Sequence, residues 1–433
     1  MTLPNHHAQA IIDRVLQGRS REDAVQRLSP RLPVTEPLPE RLKSFTDHSV
    51  VALHKRRELL ASLGICTTQL AGEGPEIEPE QLAGNIENQV GMARIPVGVV
   101  GPLRVNGSAA HGDFYVPMAT TEGALVASYH RGAMLVSQAG GATAICLTEI
   151  LTRAPVFQFE SVRDVGLFLA WLLPEFPQLQ AIVGQTTAHG KLRDVQTSIV
   201  GKEVFLLFEY TTGDASGQNM VTVATQALCQ WIVENSPVVP QHWFIDGNMS
   251  GDKKATVQAF SYARGKKVVA ESVLPALLVR RILNTTPEQI VRYAALSAIG
   301  GIQSGSIGVQ GHYANGLAAV FLACGQDVAC VSEAAVGLTR MDITKEGDLY
   351  VSVSVPNLIC GTVGGGTSMP TAKECLTMLG CAGAGHARKL AEIFAALLLC
   401  GEISITGAMA AGEFAAAHQK HGRKSTAGGG NPS

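Results

Sequence analysis

The chain has 433 residues, of which 46% are apolar and 16% charged. This composition excludes a disordered chain, and the length favours two or more compact units. The 34 Lys and Arg side chains against 36 Asp and Glu give a net charge of −2, which leaves no basic excess for nucleic acid or an acidic membrane. The 46 glycines follow no collagen period, so backbones approach each other or a ligand closely. Small-molecule chemistry is therefore expected.

Cysteine usage and apolar segments bear on the cellular compartment. The nine cysteines include no Cys-x-x-Cys pair and several lie in apolar runs, which favours free thiols in a reducing cytosol. Residues 1–15 lack the pattern of a signal peptide. The apolar stretch 387–411 contains Lys389, Glu392 and Glu402, which disfavours a membrane span. We therefore expect a soluble, cytoplasmic protein with no membrane partner.

The first 86 residues predict a small helical domain, because apolar residues recur at helical spacings on either side of a proline-containing link over 32–38. The composition then changes. The run Ile95-Pro-Val-Gly-Val-Val-Gly-Pro-Leu103 favours neither a regular helix nor a long strand. We place the first domain boundary between residues 86 and 87.

Residues 154–246 show a β-α-β-β-α-β pattern. Strands are predicted over 156–159, 195–200, 204–210 and 242–245, and helices over 162–173, ended by Pro174, and over 221–233. Gly201-Lys202 is typical of a two-residue hairpin turn. This order is the ferredoxin-like arrangement.

The sequence on both sides of this unit predicts one larger domain, formed by 87–153 and 247–433. Helices are expected over 275–283, 287–299, 312–323 and 387–399, with a strand over 349–355. The fold class is therefore α+β, a large domain carrying an inserted ferredoxin-like domain and preceded by a small helical domain.

Two charged positions are candidates for catalysis. Lys253, in Gly251-Asp-Lys-Lys254, follows the last strand of the inserted unit; such a cluster is usually solvated surface, but an ammonium held there would stabilise an oxyanion. Glu122 lies among small and apolar residues, where burial would raise its pKa and make it a proton donor. A helix start capped by Thr120 or Thr121 explains Glu122 equally well, and the sequence does not decide.

Other polar and glycine-rich segments suggest ligand contacts. His312 and Asn315 share one helical face, whereas Asp327, after Gly325, is ordinarily a turn residue. The segments 361–367 and 213–219 offer backbone amides to a phosphate or a nicotinamide amide, although glycine clusters often mark only a turn, and neither GxGxxG nor Walker A occurs. His418 and His421 lack a third ligand nearby, so we expect no metal, and His418 is instead a candidate proton donor.

Taken together and in this order, these segments resemble the hydroxymethylglutaryl-CoA reductases. The resemblance covers about residues 85–421 and is carried by Glu87-Asn88 with 95–103, Val116-Pro-Met-Ala-Thr-Thr-Glu122-Gly, Gly251-Asp-Lys-Lys254, Gly325-Gln-Asp327 and Gly361–Thr367. The pattern is closer to the form of eukaryotes and archaea than to the bacterial class, and the eukaryotic membrane anchor is missing.

This resemblance implies a four-electron reduction of the acyl-CoA thioester to mevalonate and CoA with two NADPH, NADH being possible, in a homodimer or homotetramer whose subunit interface holds the active site. It implies an inserted NADP-binding domain and a large CoA-binding domain. The implied catalytic residues are Glu122, Lys253, Asp327 and His418. The implied substrate-binding residues are Arg153, Asn248, Asp252, Lys254, His312 and Asn315, and the implied cofactor-binding residues are Asp214, Asn219, Gly364, Gly365, Gly366 and Thr367.

Some positions depart from the family pattern. Thr187-Ala-His189 stands where the family has Ser-Arg-Phe at the adenosine site, Ser216 and Gln218 replace two Met, and Lys424 replaces a regulatory Ser. Leu296 and Asp246 stand where the family has a Lys and a Ser that hold the distal carboxylate of the acyl group. We therefore expect weak binding of the usual substrate, or a different acyl-CoA. A non-catalytic CoA- or nucleotide-binding relative is the other alternative, which the four retained catalytic residue types disfavour.

Overall fold

The computed structural model describes residues 6–43, 45–262 and 264–413. Within these ranges the helices are α1 His6–Leu16, α2 Arg21–Leu28, α3 Val50–Ser62, α4 Thr68–Ala71, α5 Leu125–Gln138, α6 Val162–Leu172, α7 Phe176–Thr186, α8 Gln218–Asn235, α9 Ala276–Leu283, α10 Pro287–Ser304, α11 Tyr313–Ala323, α12 Val331–Ala334, α13 Pro370–Met378 and α14 Ala387–Ala410. The strands are β1 Val97–Gly107, β2 His111–Ala119, β3 Ala142–Arg153, β4 Val156–Gln158, β5 Lys191–Val200, β6 Glu203–Thr211, β7 His242–Phe244, β8 Gly265–Leu274, β9 Leu338–Ile343 and β10 Leu349–Leu358.

Helices α1 to α4 confirm the helical character of the N-terminal part. Ser20 and Ser49 cap α2 and α3 with their hydroxyls, as N-cap serines do. The proline-containing link is held by Arg104 of β1, a fully buried side chain that donates to the carbonyls of Arg31, Glu36 and Pro37. The helical part is therefore fastened to the sheet through its link.

The large domain is built on the strand order β3-β8-β10-β9, all antiparallel, with β1 parallel to β3 and paired with β2. The prediction that 95–103 favours no long strand is wrong, since the 11-residue strand β1 begins at Val97. Its register with β2 shifts between Val100 and Leu103, around Gly101-Pro102. Pro lacks the N–H that a regular ladder requires, and the irregularity accommodates it.

Strands β4 to β7 pair in the order β7-β4-β6-β5, all antiparallel, which is the predicted ferredoxin-like sheet. Helix α6 ends just before Pro174, close to the predicted end. The chain does not leave the helical path there, because a 3-10 turn over Leu173–Glu175 leads into a further helix, α7, that was not predicted. Strand β6 also pairs with the end of β3, at Leu151–Arg153, so one sheet runs through both parts of the chain. The boundaries 86/87, 153/154 and 246/247 remain predictions.

The core of the large domain is organised around α14, which is longer than predicted and almost completely buried. Within the described part of the chain, two helical stretches are long and apolar enough to cross a membrane, Val162–Thr186 and Ala387–Ala410, and most of the second is enclosed by the protein. Two carboxylates of α14 bond to backbone amides: Glu392 accepts from Ala109, Ala110 and Cys146, and Glu402 accepts from Gly311 and His312. The helix therefore fixes loops on two sides of the core.

Candidate active site

Lys253 lies on the turn between β7 and β8 and contacts Asp327, which follows α11. The Lys253 Nζ atom is 2.7 Å from Asp327 Oδ2, and the two side chains are 42% and 41% exposed. The hydrogen bond from Lys253 raises the pKa of its own ammonium. Burial acts to raise the pKa of Asp327, but bonds from Lys253 and the amide of Ala329 outweigh it and lower that pKa. Both groups are therefore charged near neutral pH, and the ammonium still faces solvent.

A chain of buried charges supports the Lys253 turn. Asp252 accepts from Arg153 Nη1 at 3.1 Å and from Arg264 Nη2 at 2.8 Å. Arg264 Nη1 also donates to both carboxylate oxygens of Glu333, at 2.8 Å to Oε1 and 2.6 Å to Oε2. Glu333 in turn accepts the backbone N–H of Lys253 at 3.1 Å. Charges buried in this way must be paired, because an unpaired one would be costly.

Arg153, the implied substrate ligand, is engaged on several sides within this chain. Its Nη1 donates to Asp246 at 2.7 Å and its Nη2 to the Thr222 hydroxyl at 3.0 Å, while only 8% of the residue is exposed. Asn248 and Lys254 are exposed beside it: the Asn248 amide donates to Asp246, and the Lys254 ammonium to the Asp252 carbonyl.

Glu122 lies at the edge of a second region, a cleft of about 950 Å³ between α5, α10, α11, α14 and β9. It is exposed rather than buried, and it accepts from Asn315 Nδ2 at 2.8 Å. The alternative of a helix cap is wrong, because α5 begins at Leu125 and the Thr120 hydroxyl bonds the amide of Glu122 instead. His312 also lines the cleft; burial lowers its pKa, and its Nδ1 has no partner among the described residues.

The two predicted glycine loops contact each other and the Asp327 turn. A Cβ on Gly325 would lie 2.2 Å from the carbonyl oxygen of Gly366, so only glycine permits this approach. The side chain of Gln326 accepts the amide of Gly361 at 2.8 Å. The glycine segment is therefore packed against the turn that carries Asp327.

Asp214 links the glycine loop 213–219 to the start of α14 and to the loop 361–367. Its carboxylate accepts the amides of Gly385 and Ala387 at 2.7 and 3.0 Å, at the start of α14, and its carbonyl accepts the amide of Thr362. Thr367 is buried, with its hydroxyl on the Gly364 carbonyl. In contrast, Asn219 is exposed in the first turn of α8, and Gly364 and Gly365 are exposed in their loop.

The structure thus brings together Lys253, Asp327, Asp252 and Arg153, and separately Glu122, Asn315 and His312. Across the described ranges Glu122 and Asp327 share no hydrogen bond, so these two implied catalytic carboxylates are not joined inside one chain. His418 lies outside the described residues. The sequence assigned no site role to Arg264, Glu333, Gln326 or Glu402. The available signals were the place of Gln326 in the segment Gly325-Gln-Asp327 and the apolar surroundings of Glu402.

A family model for hydroxymethylglutaryl-coenzyme A reductase matches residues 52–423. The chain belongs to the hydroxymethylglutaryl-CoA reductase family. It is 43% identical over 378 residues to the 3-hydroxy-3-methylglutaryl-coenzyme A reductase of Pyrococcus abyssi, covering 85% of this chain and 92% of that protein. It is 38% identical over 352 residues to 3-hydroxy-3-methylglutaryl-coenzyme A reductase 2 of Dictyostelium discoideum, covering 79% of this chain and 66% of that protein.

The fold agrees with a solved hydroxymethylglutaryl-CoA reductase. The class II reductase of Streptococcus pneumoniae, bound to NADPH in open conformations, superposes with a TM-score of 0.69 at 19% identity, covering 86% of this chain and all of that chain. Identity to this structure is less than half of that to the Pyrococcus abyssi protein. The predicted family and fold class are therefore confirmed.

Proposed function

We propose that this chain reduces 3-hydroxy-3-methylglutaryl-CoA to mevalonate and free CoA with two NADPH, in the cytoplasm, as a step toward isoprenoid precursors. The observation that carries the proposal is the Lys253–Asp327 pair, a charged ammonium 2.7 Å from its carboxylate and still partly open to solvent. Membership of the reductase family over most of the chain supports it. An acyl-CoA thioester needs such a cation where its carbonyl oxygen becomes negative.

The glycine loop offers a surface that a dinucleotide can approach closely. Gly364 and Gly365 have φ values of +77° and +54°, and a Cβ added at either would meet no atom within 4 Å. Exposed Asn219 in the first turn of α8 adds a polar group near the positive end of that helix dipole. We assign NADPH to these residues with Gly366 and Thr367, and to Asp214 through the loop it holds; NADH is the alternative. The bound dinucleotide supplies hydride.

The side chains then divide the remaining chemistry. Lys253 stabilises the charge that develops on the thioester oxygen, and Asp327 keeps the ammonium protonated and oriented. His418 protonates the departing CoA thiolate, which suppresses its return. Glu122 donates a proton to the aldehyde oxygen in the second reduction. Each of the four roles requires the residue type that this chain carries.

The exposure of Glu122 supports a site completed by a second subunit. Within one chain Glu122 faces the cleft with Asn315, whereas Lys253 pairs with Asp327. We propose a homodimer or homotetramer in which Glu122 of one subunit meets Lys253 of its partner. His312 and Asn315 would then contribute to acyl-CoA binding together with Asn248, Asp252 and Lys254.

A different acyl-CoA is the second candidate substrate, and one observation favours it. Arg153, the implied ligand of the distal carboxylate, is already bonded by two carboxylates of this chain, Asp246 and Asp252. Leu296 is 62% exposed on α10 and brings no cation. A substrate carboxylate would therefore compete with Asp246, whereas an acyl chain without that group would not.

The test follows oxidation of NADPH and of NADH separately with 3-hydroxy-3-methylglutaryl-CoA, together with release of free CoA. We expect two dinucleotides oxidised for each CoA released, with mevalonate as product. The Lys253→Ala variant, expected to be at least about 100-fold slower, is the comparison, and a reaction without protein is the blank. If neither dinucleotide is oxidised with this or any other acyl-CoA, the proposal fails.

A further inference from the structure

Arg264 is buried where three parts of the site meet. It is 2% exposed and precedes β8. Its Nη1 donates to both oxygens of Glu333, and its Nη2 donates to Asp252 at 2.8 Å and to Gln218 Oε1 at 2.7 Å. Gln218 is the first residue of α8 and Glu333 lies in α12. One guanidinium therefore bonds to the inserted unit, to the Lys253 turn and to the helix after Asp327.

These bonds constrain the backbone of Lys253 from both sides. On one side, the Asp252 carboxylate accepts from Arg264. On the other, the Lys253 amide donates to Glu333, which also accepts two bonds from Arg264. Lys253 has a φ of +54°, a conformation that costs free energy for a residue with a side chain unless its surroundings impose it. The Arg264–Glu333 pair supplies that constraint.

We propose that Arg264 and Glu333 are positioning residues for Lys253. They hold its strained turn so that the ammonium lies against Asp327, at a fixed place relative to the start of α8. This inference rests on the proposed function for its catalytic consequence. Neither residue is expected to touch substrate: the Glu333 side chain is 0% exposed and that of Arg264 2%.

The decisive variant is Arg264→Lys. Lysine keeps the charge, but its single ammonium cannot bond to Glu333 while also reaching Asp252 and Gln218. Because a displacement of about 1 Å can cost about 100-fold in rate, we expect kcat to fall at least about tenfold with KM nearly unchanged. Glu333→Gln, which keeps an acceptor for the Lys253 amide, is a milder second variant with a smaller loss. The matched control is Arg104→Lys, at another buried arginine bonded twice to one carboxylate, Asp113.

A double-mutant cycle separates positioning from general destabilisation. In a Lys253→Ala background the effect of Arg264→Lys on kcat should shrink to less than about twofold, whereas Arg104→Lys should change kcat equally in both backgrounds. Equal losses from Arg264→Lys in both backgrounds, or a kcat within about twofold of wild type, would overturn the inference.

A readout that does not need turnover distinguishes failure of this inference from failure of the proposed function. A crystal structure of the Arg264→Lys variant should show Lys253 Nζ displaced from its 2.7 Å contact with Asp327 Oδ2. An unchanged contact contradicts the positioning role even if the wild type reduces no acyl-CoA. If Arg264→Lys does not fold, Glu333→Gln carries both the cycle and the structure.

Discussion

Lys253 combines a charged state with an exposed side chain, so its proposed catalytic role can be tested separately from any contribution to stability. Exposed ion pairs contribute about 0–1 kcal/mol to stability, whereas a lost oxyanion donor costs about 100-fold or more in rate. We therefore expect Lys253→Ala to reduce turnover at least about 100-fold and to leave the thermal midpoint nearly unchanged. Steady-state kinetics and calorimetry on the same preparation test this, with exposed Lys55→Ala as control. Retention of more than about a tenth of the activity contradicts the oxyanion role.

Asp246 and Leu296 are expected to set substrate preference. Asp246→Ser removes a competing carboxylate from Arg153, and Leu296→Lys adds a cation on α10. We expect each variant to lower KM for the hydroxymethylglutaryl thioester with kcat nearly constant. The corresponding gain in substrate binding free energy is about 1–3 kcal/mol for desolvated groups. A panel of acyl-CoA thioesters with and without the distal carboxylate measures this. A wild type with micromolar KM, and variants that gain nothing, would show that these positions do not read the carboxylate.

The sequence indicated Lys253 as a candidate because it follows a predicted strand, whereas Asp327, ordinarily a turn residue, became a candidate only through the resemblance to the reductase family. It did not predict Arg264 or Glu333, since a charged residue within an ordinary-looking segment is normally exposed and only the tertiary fold shows that these two are buried together. For the same reason the sequence left the burial of Glu122 undecided, and the structure shows that residue exposed. Burial of a carboxylate among small residues depends on what covers the loop, which local sequence does not specify.

At the scale of elements, the contact between the glycine loop 361–367 and Gly325 restricts the Asp327 turn. Gly325→Ala would place a Cβ 2.2 Å from the Gly366 carbonyl oxygen at a φ of +63°. We expect destabilisation by about 1–3 kcal/mol and a lower kcat, because Asp327 lies two residues further on. Urea unfolding with parallel kinetics tests both. Gly184→Ala in α7, where an added Cβ meets nothing within 4 Å, should instead be neutral or stabilising by up to about 1 kcal/mol.

Helix α5 carries a pH-sensitive contact. His130 stacks on Phe45 with ring centroids 4.7 Å apart, and burial, aided by Arg41, lowers its pKa to about 4. The folded state thus binds the proton more weakly than the unfolded state, whose pKa is near 6.5. The stabilisation from neutral His130 is therefore complete above pH 6.5 and is lost as the pH falls toward 4. The loss in the free energy of unfolding is at most about 3 kcal/mol.

The test is the pH dependence of the thermal midpoint in wild type and His130→Phe. Phenylalanine keeps the stacking without the titration, so we expect the difference between the two proteins to grow as pH falls from 6.5 to about 4. Exposed His54→Phe is the control and should not change the slope. Parallel curves for wild type and His130→Phe would show that His130 does not titrate in this range.

Several elements were predictable and others were not, for identifiable reasons. The strands and helices of the inserted unit followed from hydrophobic period and turn residues, and Gly201-Lys202 occupies the predicted hairpin turn. Helix α7 was missed because Pro174 is a usual helix end, whereas here a 3-10 turn absorbs it. Strand β1 was missed because its glycines and proline, read locally, indicate a loop.

At the scale of the whole molecule, the separation of Glu122 from Lys253 predicts complementation between subunits. Glu122→Gln and Lys253→Ala should each be nearly inactive alone. If each site combines residues of two subunits, a mixed dimer keeps one intact site of its two, which is about a quarter of all sites when the two chains pair at random. Co-expression of differently tagged chains, followed by assay of the mixed species, measures this. A monomer in sedimentation with full activity, or no recovery in the mixed species, contradicts the shared site.

The length of α14 also limits where the proposed acid His418 can act. The helix ends at Ala410 beside cleft-lining Met409, and Glu413 is fastened by Asn284 Nδ2 at 3.0 Å. His418 follows Glu413 by five residues, which span at most about 17 Å when fully extended. A group confined to such a radius behaves as an intramolecular reagent at millimolar effective concentration. If His418 has the proposed role, tethering to the end of α14 would supply proximity, and the imidazole would need no binding affinity of its own for the thiolate.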